Sequence, residues 1–165
     1  MTKKIAKHSV LKALGALCVD KDFRDAYFKK RSVDVVRDKT KPKIDISDAD
    51  YTDFSAMVPN PNLGPQAVDF EPMFIRVCPE YPCRLAALDS ELVLGTALLD
   101  ATFRVALFSD FDQALQSQGL SLQKEQHDLM QERIQVSGTR DAMESVAKKI
   151  KEATVPTLFV LETAA

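Results

Sequence analysis

The sequence predicts a mainly α chain with a minor β part (α+β): two pseudo-symmetric repeats of short helices, then a small strand–helix–strand tail. Three observations predict it. Residues 14–28, LGALCVDKDFRDAYF, return at 94–108 as LGTALLDATFRVALF, with seven of fifteen positions identical. Apolar residues in both copies recur at three- and four-residue spacing, the period of a helix with one buried face. Six of the eight prolines fall between Pro59 and Pro82, so the stretch joining the copies cannot be regular helix. The chain therefore divides into helical repeat 1 at 1–58, a Pro-rich connector with one short strand at 59–90, helical repeat 2 at 91–132 and the tail at 133–165.

In the first repeat, Val10, Leu11, Leu14, Leu17 and Cys18 form the stripe of an opening helix. Asp20 suits the N-cap of a second helix carrying Phe23, Ala26 and Tyr27, because a carboxylate accepts from the free N–H groups of the first turn. A short helix is expected from Ser32 to Arg37, and Ser47-Asp-Ala-Asp50 fits a capping box opening a helix through Met57. In the second repeat the stripe is Leu92, Leu94, Leu98 and Leu99, and Asp100 caps Phe103, Ala106 and Leu107. Ser109-Asp-Phe-Asp112 reads as another capping box leading to Ala114 and Leu115, Gly119 as a helix C-cap, and Ser121 as the cap of a last helix with Leu122, Leu129 and Met130. Residues 44–54 align with 120–130 at a shift four residues smaller than the first, so the first copy carries a four-residue insertion, placed in Asp38–Lys43.

The connector's Pro59–Pro65 reads as an extended loop and Met73–Val77 as a short strand. In the tail, Arg133–Ser137 is expected as a strand and Thr139 as the N-cap of a helix over 141–151 whose face is Ala142, Val146, Ala147 and Ile150. Pro156 ends it and Thr157–Leu161 follows as a second strand. The alternative is an apolar tail that adds as a strand to another chain.

With 165 residues, 45% hydrophobic, the chain is sized for one domain or two helical lobes sharing a core. Lys+Arg 22 against Asp+Glu 24 gives a net charge of −2, which argues against a strongly basic nucleic-acid binder. One basic patch stands out, Lys29, Lys30, Arg31, Arg37, Lys39, Lys41 and Lys43, suited to an acidic partner or nucleic acid, while Asp34 and Asp38 within it favour a solvated face. No apolar run reaches membrane-spanning length, and Lys12 interrupts the run Val10–Val19 without a signal-peptidase site after it, so a cytoplasmic location is expected. The three cysteines are no disulfide framework: Cys18 reads as core, and Cys78 and Cys83 as loop or core thiols, or as a metal or redox pair.

Acid–base chemistry has few carriers. His8 is near the start. His127 lies on the last helix of repeat 2, where repeat 1 has Tyr51, and Asp128, next in sequence, is expected to point elsewhere on that helix. The cluster Asp45, Asp48, Asp50 and Asp53 lacks the glycine and final glutamate of a calcium loop. No phosphate loop, dinucleotide fingerprint or nucleophile elbow is present, and no catalytic residue, metal site or cofactor is assigned. In the repeated Asp-x-x-Phe-Arg, the Asp caps, the Phe anchors, and the Arg pairs with a carboxylate or caps helix carbonyls. Candidate binding residues are Lys29, Lys30, Arg31, Arg37, Arg24, Arg104 and His127.

Asp100-x-x-Phe-Arg104, Phe108-Ser-Asp-Phe-Asp-Gln-Ala-Leu115 and Gly119-Leu-Ser-Leu-Gln-Lys-Glu-Gln126 together resemble the small helical domain of extradiol aromatic-ring-opening dioxygenase small subunits. The pattern is also similar to leader regions of ribosomally made, post-translationally modified peptide precursors and to precursor domains that bind borosin-type N-methyltransferases. It spans roughly 92–131, and 10–57 loosely. The dioxygenase resemblance implies a small subunit that supports an active site whose iron ligands belong to a large subunit. The precursor resemblance implies docking to a modifying enzyme, with 133–165 as the modified segment. The expected function is a non-catalytic recognition module docking on a partner protein or enzyme subunit. The alternatives are a peptide precursor, or an enzyme subunit contributing His127 or the Cys78/Cys83 pair to a shared site. Self-association stays open.

Overall fold

The protein is described by a computed structural model covering residues 4–6, 8–40, 43–58, 77, 84–85, 88–154 and 159–161, with the backbone alone at 4–6, 88, 152–154 and 159–161. The expected strand Met73–Val77, the Cys78/Cys83 pair, Lys41 and most of the connector lie outside the described residues. Among the described residues the chain is mainly helical. Four helices come before the connector: α1 (His8–Val19), α2 (Lys21–Lys29), α3 (Val33–Lys39) and α4 (Asp48–Met57). Five follow it: α5 (Leu88–Leu99), α6 (Ala101–Ser109), α7 (Phe111–Ser117), α8 (Lys124–Ile134) and α9 (Thr139–Thr154). The backbones of Lys4–Ala6 (β1) and Phe159–Leu161 (β2) pair in parallel, Ile5 opposite Val160. No single helix among the described residues is long and apolar enough to cross a membrane.

The core is built on α1 and α5. Both are buried almost all round, Val10–Leu11 and Ala13–Val19 in α1 and Ser90–Leu98 in α5, as expected of helices with neighbours on every side. They touch at two glycines. A Cβ on Gly15 would sit 1.9 Å from the Glu91 carbonyl oxygen, and a Cβ on Gly95 would sit 1.8 Å from the Leu11 carbonyl oxygen. The contact is reciprocal, because Leu11 and Glu91 stand four residues before Gly15 and Gly95 respectively. Only a residue without a side chain lets two backbones come this close.

The next helices are set by the caps that the spacing predicts. Asp20 accepts from Phe23 N–H at 3.0 Å and Asp100 from Phe103 N–H at 3.1 Å. Phe23 and Phe103 are buried in both cases, as are Arg24 and Arg104. Ser47 caps α4 through the N–H of Asp50, and Ser32, expected as the first residue of a helix ending at Arg37, is instead the cap of α3, accepting from Val35 N–H, while the helix runs on to Lys39. Gly119, with φ 65°, ends α7: its N–H donates to Gln116 O and that of Leu120 to Leu115 O, a pairing that closes the free carbonyls of the last turn.

Several expectations need correction. The N-cap of α7 is Asp110, not Ser109: its carboxylate accepts from Gln113 N–H, while the Ser109 hydroxyl donates back to Val105 O. Asp110 is also the C-cap of α6, a double role that removes the linker Lys30–Ser32 found between α2 and α3. The extra length of the first stretch is thus split between that linker and the α3–α4 loop, rather than lying wholly in Asp38–Lys43. α8 is entered through Gln123, with no side-chain cap, so Ser121 has no capping role. Arg133–Ser137 is not a strand: Arg133 and Ile134 finish α8, and Val136 N–H and Thr139 N–H close turns on Arg133 O and Val136 O. Thr139 is the first residue of α9 rather than its cap. α9 spends Met143, Val146, Ala147 and Ile150 on the core.

Candidate functional site

The two repeated arginines serve the backbone. Arg24 Nη1 donates to Leu17 O at 3.0 Å, and Arg104 Nη1 donates to Ala97 O at 2.7 Å, each reaching the last turn of the preceding helix. Those carbonyls have no partner within their own helix, so a buried guanidinium supplies one. Arg104 also donates through Nε to Glu144 of α9 at 2.8 Å. As candidate binding residues both therefore face inward, 2% and 8% exposed.

His127 is held at both ring nitrogens. Nε2 lies 2.5 Å from Asp112 Oδ1 and Nδ1 lies 3.0 Å from Asp128 Oδ1. The expectation that Asp128 points elsewhere is wrong, because the Asp128 carboxylate turns back along the helix to meet the ring and also accepts from Lys124. The ring meets Phe111 in a T-shaped contact, with centroids 5.1 Å apart. Two carboxylates favour the imidazolium, and they raise the pKa of His127 above its usual 6.5, the bond to Asp128 acting most strongly. A general base needs one free ring nitrogen, and here both are engaged. His127 instead ties α7 to α8.

The basic patch divides into anchored and outward groups. Arg31 donates to Ser55 O at 3.0 Å and lies over the Tyr27 ring at 5.2 Å. Arg37 donates to Ile46 O at 2.9 Å and to Asp48 at 3.0 Å. These two arginines fasten α2 and α3 to α4 and its approach. Lys29, Lys30, Lys39 and Lys43 are exposed.

Cys18 is a buried thiol that donates to Leu14 O, and burial pushes it up to about 12, far from a reactive thiolate. Tyr27 is raised too, by burial and by its hydroxyl contact with Tyr51 at 3.5 Å. Among the described residues no group of three His, Cys, Asp or Glu side chains could hold a metal ion.

Sequence reading missed Glu91. It sits on the apolar face of α5, fully buried, and neither carboxylate oxygen has a hydrogen-bond partner among the described residues. Burial raises its pKa to about 8, and the nearby Asp20 carboxylate adds to the shift while Lys12 opposes it. The available signal was the similarity of 14–28 to 94–108, which when extended sets Glu91 opposite Leu11.

Compared with known proteins, the chain matches no family model, no curated protein and no solved structure. Among the described residues the protein is a helical body whose matching aspartates and arginines bond its own backbone.

Proposed function

We propose that the chain is a duplicated helical recognition module, non-catalytic by itself, that docks on a partner protein through the basic face of its first half. The reciprocal glycine contact supports the duplication: in an arrangement with an approximate two-fold axis, residue i touches the counterpart of j while j touches the counterpart of i. The matching caps and arginine–carbonyl bonds support it as well.

One observation carries the docking reading. Arg24, Arg104, His127 and Cys18 are each engaged with other groups of the chain, whereas Lys29, Lys30, Lys39 and Lys43 are exposed. A cluster of exposed ammonium groups suits capture of an acidic surface through charge complementarity. The partner is a peptide-modifying enzyme or the large subunit of a ring-opening dioxygenase type, and the setting is cytoplasmic.

The test is chemical cross-linking in the native host followed by purification of the full chain. A saturable complex of defined stoichiometry, lost in a Lys29→Glu/Lys30→Glu variant that folds normally, is the expected result. A chain that stays uncomplexed in the host overturns the proposal. Intact mass separates the precursor alternative, since added mass mapping to 133–165 marks that segment as a substrate.

A further inference from the structure

We propose that Glu91 is a proton-operated latch: protonated, it lets α1 and α5 close on each other, and its ionisation loosens that crossing. The geometry carries this. The side chain is 0% exposed and both oxygens lack partners among the described residues. It belongs to the residue whose backbone carbonyl meets Gly15, so it lies where the two central helices come closest. A neutral carboxylic acid is tolerable in such a place, whereas a carboxylate with neither hydrogen bonds nor water is expensive.

The groups around it offer weak compensation. Lys12 of α1 favours the charged form, and Asp20, just past the end of α1, opposes it more strongly. Cys18 of α1 feels Glu91 but is itself held neutral. Arg24 of α2 acts on the same thiol and is already engaged with Leu17 O. The rest of the buried face of α9 is Met143, Val146, Ala147 and Ile150.

The sign follows from where the proton is held. Unfolded, Glu91 releases it near the ordinary 4.5; folded, it keeps it to about 8. The native state therefore holds the extra proton between those values, and stability falls as pH rises through that window, then levels off. His127 contributes a loss of the same sign above 6.5, so only a difference between variants isolates Glu91.

The experiment follows thermal midpoints and amide exchange of the full chain from pH 5 to pH 9 for wild type, Glu91→Gln and Glu91→Leu. The expected wild-type fall beyond that of the variants is on the order of 10 °C. Exchange in α1 and α5 should accelerate with it in wild type alone, after correction for intrinsic rates. Wild-type and Glu91→Gln profiles that run parallel overturn the proposal. If Glu91→Gln does not fold, Glu91→Leu decides in the same way, since leucine already fills the corresponding place at Leu11.

Discussion

The stretches α1–α4 and α5–α8 solve the same local problems alike and fill their interiors differently. Both cap their second helix with an aspartate, bury a phenylalanine three residues on, and turn the next arginine onto a carbonyl of the helix before. Around that scaffold the first stretch builds an aromatic cluster, with Tyr27 against Phe23, Phe54 and Tyr51. The second has Leu107 and Met130 in its core and ties its last helices by His127 and Asp112. It also admits Glu91 where the first has Leu11. Residues that close the backbone are thus held in common, because an unpaired buried carbonyl or N–H is costly whatever surrounds it. Residues that fill space vary, because many shapes fill a core equally well.

The sharpest way to break this comparison is to copy the acid across. Leu11→Glu puts a second buried carboxyl at the crossing and should destabilise by about 4 kcal/mol at neutral pH, measured by denaturant unfolding. Gly15→Ala and Gly95→Ala test the reciprocal contact. Each forces a methyl into backbone, so each should cost roughly 3 kcal/mol, with similar values for the two. Unequal costs would show that the crossing is not shared evenly.

Arg24→Met and Arg104→Met remove the guanidiniums. Each should cost about 2 kcal/mol by denaturant unfolding, and Arg104→Met also removes the partner of Glu144. Asp20→Ala and Asp100→Ala should cost about 1 kcal/mol each at pH 7. At pH 9 the Asp20 variant should look milder, since it also relieves repulsion on an ionised Glu91, as parallel melts at the two pH values would show.

The smallest effect is His127→Gln, under about 1 kcal/mol. Its contribution is full below 6.5 and is lost as pH rises through the raised folded value, so the variant and wild type should converge at alkaline pH. A gap that widened there would contradict the pairing with Asp112 and Asp128.

The signals readable along the chain are short in range. Apolar spacing and capping residues located helices in both stretches, and the caps Asp20, Asp100 and Ser47 and the stop at Gly119 were legible, because each depends on bonds reaching three to five residues. The double duty of Asp110 was not legible, since Ser109 is an equally good cap on paper. Only the tertiary structure brought Gly15 to Glu91, Arg104 to Glu144 and Asp112 to His127, contacts between residues far apart in the chain. Burial is likewise a property of the assembled core: nothing local distinguishes Glu91 from a solvated first-turn glutamate until α1 closes over it.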